Sequence, residues 1–508
     1  MLTNIANAFV TLANGEILLC MLIGVVCGLV LGALPGLTGS MAICLLLPIT
    51  YDMNPIASLV MLTAIFTSSI YGGSITAILL HTPGTPASGA TAEDGFALTQ
   101  KGLGLQAIGT STISSMIGGF LSGVALLFVA PPLAKVALMF GPGEYFMVAI
   151  FGLTIISSLC NGGVVKGLFC AAFGLAISCI GVDTQTGFPR FMYGIPQLSS
   201  GLSVIPLLIG LYSMSQVMIM AENTHNADKG IVDQAISQLK GKMILPLKQW
   251  LGYSWSILRS TIIGILIGIL PGAGGDIASY LAVNVGKNSS KHPEEYGNGS
   301  MEAIVCSESA NNAVTGGALI PLLTLCIPGS ATAAILLGGF TMHGLVPGND
   351  LFTSQAHVVF PIILGFAISN IVMGIIGLLS CRFLAKLTVM PVNVLAPCII
   401  AVSVLGSYAC NNSLFDVKLA IIFGILGFVM ILLDIPLTPM VIAMVLGDIA
   451  ESNMRRGVAM SSGDYSIFFT RPVSLFFILI AALSLLYPTI KYFVRRYRAG
   501  KNSSGLEG

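Results

Sequence analysis

Long apolar runs repeat along the chain, broken by Pro-Gly pairs and short polar stretches rather than by the periodic charged faces of water-soluble helices. They predict spans at 17–33, 56–80, 107–130, 145–181 and 202–220, and again at 252–270, 313–346, 355–382, 392–433 and 471–488. Many reach the roughly 17–25 residues that carry a helix across about 30 Å of hydrocarbon, and the longest hold two passes, for a total of about twelve. Shorter apolar pieces at 41–50 and 276–286 are expected to cross only part of the way. Hydrocarbon offers backbone N–H and C=O groups no partners, so a spanning segment must be a helix or part of a closed barrel. Continuous runs differ from the alternating ten-residue segments of barrel strands. The fold class is therefore all-α, a polytopic integral membrane protein.

The same landmarks occur twice in the same order, the mark of a duplicated transporter fold. LPGLTGS at 34–40 is answered by LPGAGGD at 270–276. Tyr71-Gly72-Gly73, ahead of Pro83-Gly84, is answered by Thr315-Gly316-Gly317, ahead of Pro328-Gly329, with a shift of one residue. Cys160-Asn161, Lys166 and Gly174 are answered by Cys410-Asn411, Lys418 and Gly424. The chain thus divides into an amino-terminal segment 1–16, a first transmembrane repeat 17–220, a polar cytoplasmic linker 221–250, a second repeat 251–456, a loop and final helix 457–490, and a basic cytoplasmic tail 491–508. An odd number of spans in each half would set the second upside down, so the two repeats are expected to be inverted.

Composition agrees with a chain that lies in lipid: 55% of the 508 residues are hydrophobic and 8% charged, with a mean hydropathy of +0.92. A typical soluble domain is about 25% charged. The 11 cysteines are scattered singly without metal-ligand spacing and read as packing residues. Net charge is +1 and no GxxxxGK[ST] loop occurs, so nothing points to nucleic acid or to ATP hydrolysis. The first apolar run lacks a basic region before it and is read as a span rather than a cleaved signal. Lys229, Lys240, Lys242 and Lys248 in the linker and Lys491, Arg495, Arg496, Arg498 and Lys501 in the tail favour the cytoplasm, whereas residues 1–16 carry no Lys or Arg. The amino terminus is predicted outside and the carboxyl terminus inside, which leaves Arg455 and Arg456 outside, against the rule.

A helix broken near the midplane exposes N–H groups to an anion and carbonyls to a cation. Pro35-Gly36, Pro83-Gly84, Pro271-Gly272 and Pro328-Gly329 lie within or at the ends of apolar runs, beside Thr38, Ser40, Thr82, Thr85, Ser88, Ser330 and Thr332. They are predicted to make discontinuous, re-entrant helices whose small hydroxyls suit a carboxylate. Gly and Pro are also common packing residues in membrane helices; equivalent placement in two halves is what singles these four out. Asn311-Asn312 supplies amides for substrate, for sodium, or for hydrogen bonds between helices. Glu308, Asp94 and Glu93 are, with Asn311, the candidates for ion coupling. Sodium would be held by oxygen ligands near Asn312 and the Pro-Gly segments, or a proton by Glu308 or His81. A hydrogen-bonded packing role for His81 is preferred, because no acid lies near it in sequence. Nothing supplies a catalytic set, and no cofactor beyond a co-transported Na⁺ or H⁺ is expected.

The runs GALPGLTGS, YGGSITAILLHTPGTPASGATAEDG, GVDTQTGFPRF and SESANNAVTGGALIPLLTLCIPGSATAAILLGGFTMHGLVPG together resemble the large subunit, TctA, of the tripartite tricarboxylate transporter family, and the resemblance runs from about Ile17 to about Tyr487. It implies a large permease in a bacterial inner membrane that works with a small four-span TctB-like subunit and a periplasmic TctC-like solute-binding protein. Such a system imports an organic carboxylate on a sodium or proton gradient. Around PGTPASGATAEDG and LPGLTGS the chain departs from the citrate-transporting type, so citrate does not follow. A carrier that needs no binding protein remains open, as does, more remotely, an anion channel or facilitator, for which no symmetric ring or continuous charged pore motif is visible.

Overall fold

The computed structural model describes every residue except 35, 138–139, 160–162, 184–185, 223–241, 273, 389, 391 and 487–508. Helix α1 spans Leu2–Leu12 and α2 Gly15–Gly32, the latter capped by Asn14, which accepts from the Glu16 N–H at 2.9 Å. There follow α3 Gly39–Leu46, α4 Pro55–Leu80, α5 Gly89–Gln100 and α6 Gly104–Ala137. Next come α7 Pro142–Leu159, α8 Val164–Ser178 and α9 Val204–Glu222, whose middle, Ile209–Met214, winds as a π-helix. The series resumes with α10 Leu247–Ile269, α11 Gly274–Ser289, α12 Met301–Leu325, α13 Ala331–Met342 and α14 Ala356–Leu387. It closes with α15 Val392–Asn411, α16 Leu414–Leu432, α17 Leu437–Met460 and α18 Pro472–Leu486. Among the described residues the only sheet is a hairpin, β1 Gly181–Val182 against β2 Pro189–Arg190.

Eight described helices, α2, α4, α6, α9, α10, α14, α15 and α16, are long and apolar enough to cross a membrane, which makes this an all-α membrane protein. Helix α12 falls outside that set because Ser307, Glu308, Ser309, Asn311 and Asn312 dilute it, yet it is buried without a break from Ala303 to Thr324. Helix α4 is buried in the same way on nearly every side from Ala57 to Leu79. Helices with no exposed face belong at the centre of a bundle. The run at 313–346 is therefore not one span: α12 starts earlier, at Met301, where Ser300 accepts from the Ala303 N–H at 3.3 Å, and stops at Leu325. Hydropathy hides that start, because it counts Ser307, Glu308, Ser309, Asn311 and Asn312 as solvent-seeking although all of them are buried inside the bundle. The runs at 145–181 and 392–433 each divide into two helices, α7 with α8 and α15 with α16.

Small residues set how the central helices meet. Gly24, Gly28 and Gly32 line the face that α2 lays on α4, and Gly264 and Gly268 line the face that α10 lays on α12. A Cβ on Gly28 would sit 2.8 Å from the Ile65 carbonyl oxygen, and one on Gly268 2.6 Å from that of Val314. In lipid there is little hydrophobic drive between helices, so close backbone approach of this kind supplies the attraction. Both buried helices end alike, on a non-glycine residue in the left-handed region two positions before a Pro-Gly pair: His81 at φ 55° and Cys326 at φ 58°. After α2 and α10, Gly36 at φ 82° and Gly272 at φ 79° make the turn that leads into the next broken piece. Pro35 itself lies outside the described residues.

One compact unit comprises Met1–Ala137 and Ser203–Val429, and the other Leu138–Leu202 and Met430–Gly508. They are not the two sequence halves; each draws helices from both. In the first unit, α4 and α12 form the core, and Gly210 of α9 lies against Ala420 and Gly424 of α16. In the second, α17 packs on α7 and α8, and Lys166 donates to the carbonyls of Leu433 and Asp434 at 2.8 and 3.2 Å. Its hairpin is tied to α17 by ion pairs: Arg455 to Asp183 at 2.7 Å, Arg455 to Glu451 at 2.5 Å and Arg190 to Glu451 at 2.6 Å. Most of the expected linker, from 223 to 241, the pair Cys160-Asn161 and the basic tail lie outside the described residues.

Candidate functional site

The Pro-Gly turns bring the ends of broken helices together. Gly84 donates its N–H to the Gly73 carbonyl at 3.2 Å, and Gly272 donates to the Gly329 carbonyl at 2.9 Å, which joins the two turns of the second half directly. Helices α3 and α13 meet at their amino ends, where the Ser40 and Thr332 hydroxyls lie 2.8 Å apart. Several of the hydroxyls singled out in the sequence are committed to starting these helices. Thr38 Oγ1 accepts from the Met41 N–H at 3.3 Å and Ser330 Oγ from the Ala333 N–H at 3.2 Å, while Ser88 Oγ accepts the Thr85 N–H at 3.3 Å and donates to the Thr85 carbonyl at 2.8 Å. They fix helix ends whose remaining N–H groups form a positive pole. Thr82 and Pro83 are exposed, and Thr82 donates to the Leu80 carbonyl at 3.2 Å. Pro271, Pro328 and Gly329 are buried.

The two adjacent asparagines part company. Asn312 donates to Thr67 Oγ1 at 3.3 Å, Thr67 donates to Asn370 Oδ1 at 2.5 Å, and Asn370 donates to the Phe366 carbonyl at 2.8 Å, so this chain ties α12, α4 and α14 together. Asn311 is equally buried, but neither its amide nitrogen nor its amide oxygen has a hydrogen-bond partner. Its Oδ1 lies 3.0 Å from where a Cβ on Gly275 would sit, and the Cβ of Ala87 is 2.9 Å from the same point. The amide is therefore aimed at the first turn of α11 and at the 3₁₀ turn Pro86–Ser88 behind Pro83-Gly84. A buried amide without partners costs about 1–3 kcal/mol, which a structure tolerates where a ligand restores the bonds.

Of the candidate acids, Glu308 is fully buried and wrapped in hydroxyls: Ser74 and Thr91 donate to Oε1 at 2.7 and 2.5 Å, and Ser115 donates to Oε2 at 2.7 Å. Asp94 is 2% exposed, and its Oδ1 accepts the N–H groups of Gly297, Gly299 and Ser300 at 2.9, 2.9 and 2.8 Å, which pins the loop leading into α12. Glu93 is exposed. His81 is exposed too, and instead of a hydrogen-bonded packing place it stacks on Phe96 with ring centroids 5.0 Å apart. Sequence reasoning missed Ser74, Thr91, Ser115 and Ser307 around Glu308, and Gly275 and Ala87 beside Asn311. Isolated serines and glycines in apolar helices carry no pattern, and only the packing of helices distant in sequence reveals them.

The model of the tripartite tricarboxylate transporter TctA family matches residues 18–442. An uncharacterized 52.8 kDa protein in the TAR-I ttuC' 3'region of Agrobacterium vitis is 34% identical over 480 residues, covering 93% of this chain and 93% of that relative. An uncharacterized protein in the TAR-II ttuC' 3'region of the same organism is 37% identical over 231 residues, covering 45% of this chain and 96% of that relative. No solved structure matches the chain. On the family match and the near full-length relative, this chain belongs to the tripartite tricarboxylate transporter TctA family and is a multi-pass membrane protein of a family of transporters.

Proposed function

We propose that this chain is the large permease subunit of a binding-protein-dependent secondary active transporter that imports an organic carboxylate by alternating access on a sodium or proton gradient. In this reading it sits in a bacterial inner membrane, amino terminus outside, with a small TctB-like membrane subunit and a TctC-like periplasmic binding protein as partners. About twelve spans form two inverted repeats. Support for the repeat comes from matched detail: glycine faces of α2 on α4 and of α10 on α12, left-handed caps at His81 and Cys326, and left-handed glycines at 36 and 272.

The observation that carries the substrate reading is Asn311, an unpartnered amide buried at the amino end of α11. A carboxylate there would accept from the Asn311 amide, with the dipole of α11 adding to the attraction. No ion pair among the described residues involves Asp276 or Glu308, so positive charge for the anion would come from helix ends and a co-bound cation. Asn311→Ala should lower carboxylate uptake about 10- to 100-fold, the loss of a hydrogen bond to a charged group worth about 1.5–3 kcal/mol. The assay is uptake into proteoliposomes containing both membrane subunits, with binding protein and a panel of labelled carboxylates. Unchanged kinetics in Asn311→Ala, with protein amounts matched, would put the site elsewhere.

A further inference from the structure

An ionised Glu308 would have no basic side chain to match it among the described ion pairs. It lies on α12, 0% exposed, and receives hydroxyls from three other helices: Ser74 on α4 at 2.7 Å, Thr91 on α5 at 2.5 Å and Ser115 on α6 at 2.7 Å. The Ser307 hydroxyl stands 2.8 Å from that of Thr91. None of the ion pairs among the described residues includes Glu308. Helices α4, α5 and α12 contain no Lys, Arg or His, and the Lys135 of α6 is near that helix's far end, about 30 Å along the axis from Ser115. An ionised carboxylate buried this deeply is costly unless a cation matches it.

The surroundings supply ligands of one kind. Two carboxylate oxygens and the hydroxyls of Ser74, Thr91, Ser115 and Ser307 converge from four helices. A hydroxyl has lone pairs as well as a proton, so the groups that donate to Glu308 can rotate and offer oxygen to a metal ion. An all-oxygen set with a single negative charge suits a hard monovalent cation rather than a divalent one. We propose that Glu308, Ser74, Thr91, Ser115 and Ser307 form a sodium site. Its use as the coupling site rests on the transport reading above; its existence does not. Glu308 and Asn311 are three residues apart on α12 and so share one helix face, which places the cation beside the amide proposed to meet the carboxylate.

The test is thermal unfolding of the purified protein titrated with NaCl at constant ionic strength, with KCl and choline chloride as controls and no carboxylate present. A saturable stabilisation specific to sodium is expected, abolished in Glu308→Gln, with half-saturation raised about tenfold in Ser115→Ala. The serine variant decides the matter if Glu308→Gln does not fold. A sodium response of unchanged half-saturation in either variant, or no sodium-specific response in the parent protein, overturns the site. Adding carboxylates to the same assay separates the two ideas: a sodium response without any carboxylate response leaves this site standing and counts against the substrate reading.

Discussion

Asp94 illustrates how two buried acids in neighbouring elements serve different ends. All three of its hydrogen bonds run from backbone N–H groups at 297, 299 and 300 to a single oxygen, so its charge is spent on holding the loop before α12. Losing even one acceptor for a buried N–H costs about 1–3 kcal/mol. Asp94→Ala is therefore expected to lower the unfolding midpoint clearly, while Asp94→Asn, which retains an oxygen, should keep most of both stability and uptake. A stable Asp94→Asn that had lost its dependence on the driving ion would restore Asp94 as a coupling residue. In the sequence, Asp94, Glu93 and Glu308 looked alike, three acids bordering apolar runs. What distinguishes them is the set of groups they face: backbone donors 203 to 206 residues away for Asp94, hydroxyls up to 234 residues away for Glu308, and solvent-accessible surface for Glu93. The Asn311-Asn312 pair was legible as polar and central, but not that the Asn312 nitrogen would be bonded between helices while its oxygen and the whole Asn311 amide were left open.

At the scale of elements the sequence was more informative, because Pro and Gly act on the backbone locally. A helix ends shortly before each of the four Pro-Gly pairs singled out, at Gly32, Leu80, Ile269 and Leu325, and the pieces at 41–50 and 276–286 do form short helices, Gly39–Leu46 with its 3₁₀ extension and Gly274–Ser289. The start of α12 was hidden because its polar residues are buried inside the bundle, where hydropathy counts them as solvent-seeking. Helix contacts give a sharp test on one element. On α10, a Cβ at Gly268 would fall 2.6 Å from the Val314 carbonyl oxygen and 2.9 Å from the Gly317 Cα, whereas at Gly252 nothing lies within 4 Å. Gly268→Ala must push α10 from α12 at a cost of roughly 1–3 kcal/mol. Gly252→Ala only gains helix propensity, about 0.5–1 kcal/mol. Unfolding midpoints of the two purified variants should move in opposite directions; equal shifts would mean that the α10–α12 interface is not as close as described.

For the whole molecule, orientation is the property that charge distribution decides. Nine Lys and Arg lie in the linker and tail, against none in residues 1–16, and this bias is what supports the proposed outside amino terminus and inside carboxyl terminus. Arg455 and Arg456 run against that count, and the ion pairs of the second unit explain how the folded protein accommodates the first of them. Arg455 bonds Asp183 at 2.7 Å and Glu451 at 2.5 Å, and Asp183 is only 6% exposed. Arg455 is then a structural cation rather than a topological signal. Replacing Arg455 and Arg456 together with Gln should leave a carboxyl-terminal green fluorescent protein fusion bright, since the tail keeps its cytoplasmic side. Arg455→Gln should still lower stability, because it takes from the buried Asp183 its 2.7 Å partner and leaves Arg190, at 3.9 Å, as the nearest cation. Asp183→Asn placed in the Arg455→Gln background should recover part of that loss by removing the charge the arginine had matched. A dark fusion of the unsubstituted protein would reverse the proposed orientation, whereas a bright parent with a dark double glutamine variant would show that these arginines help to set it.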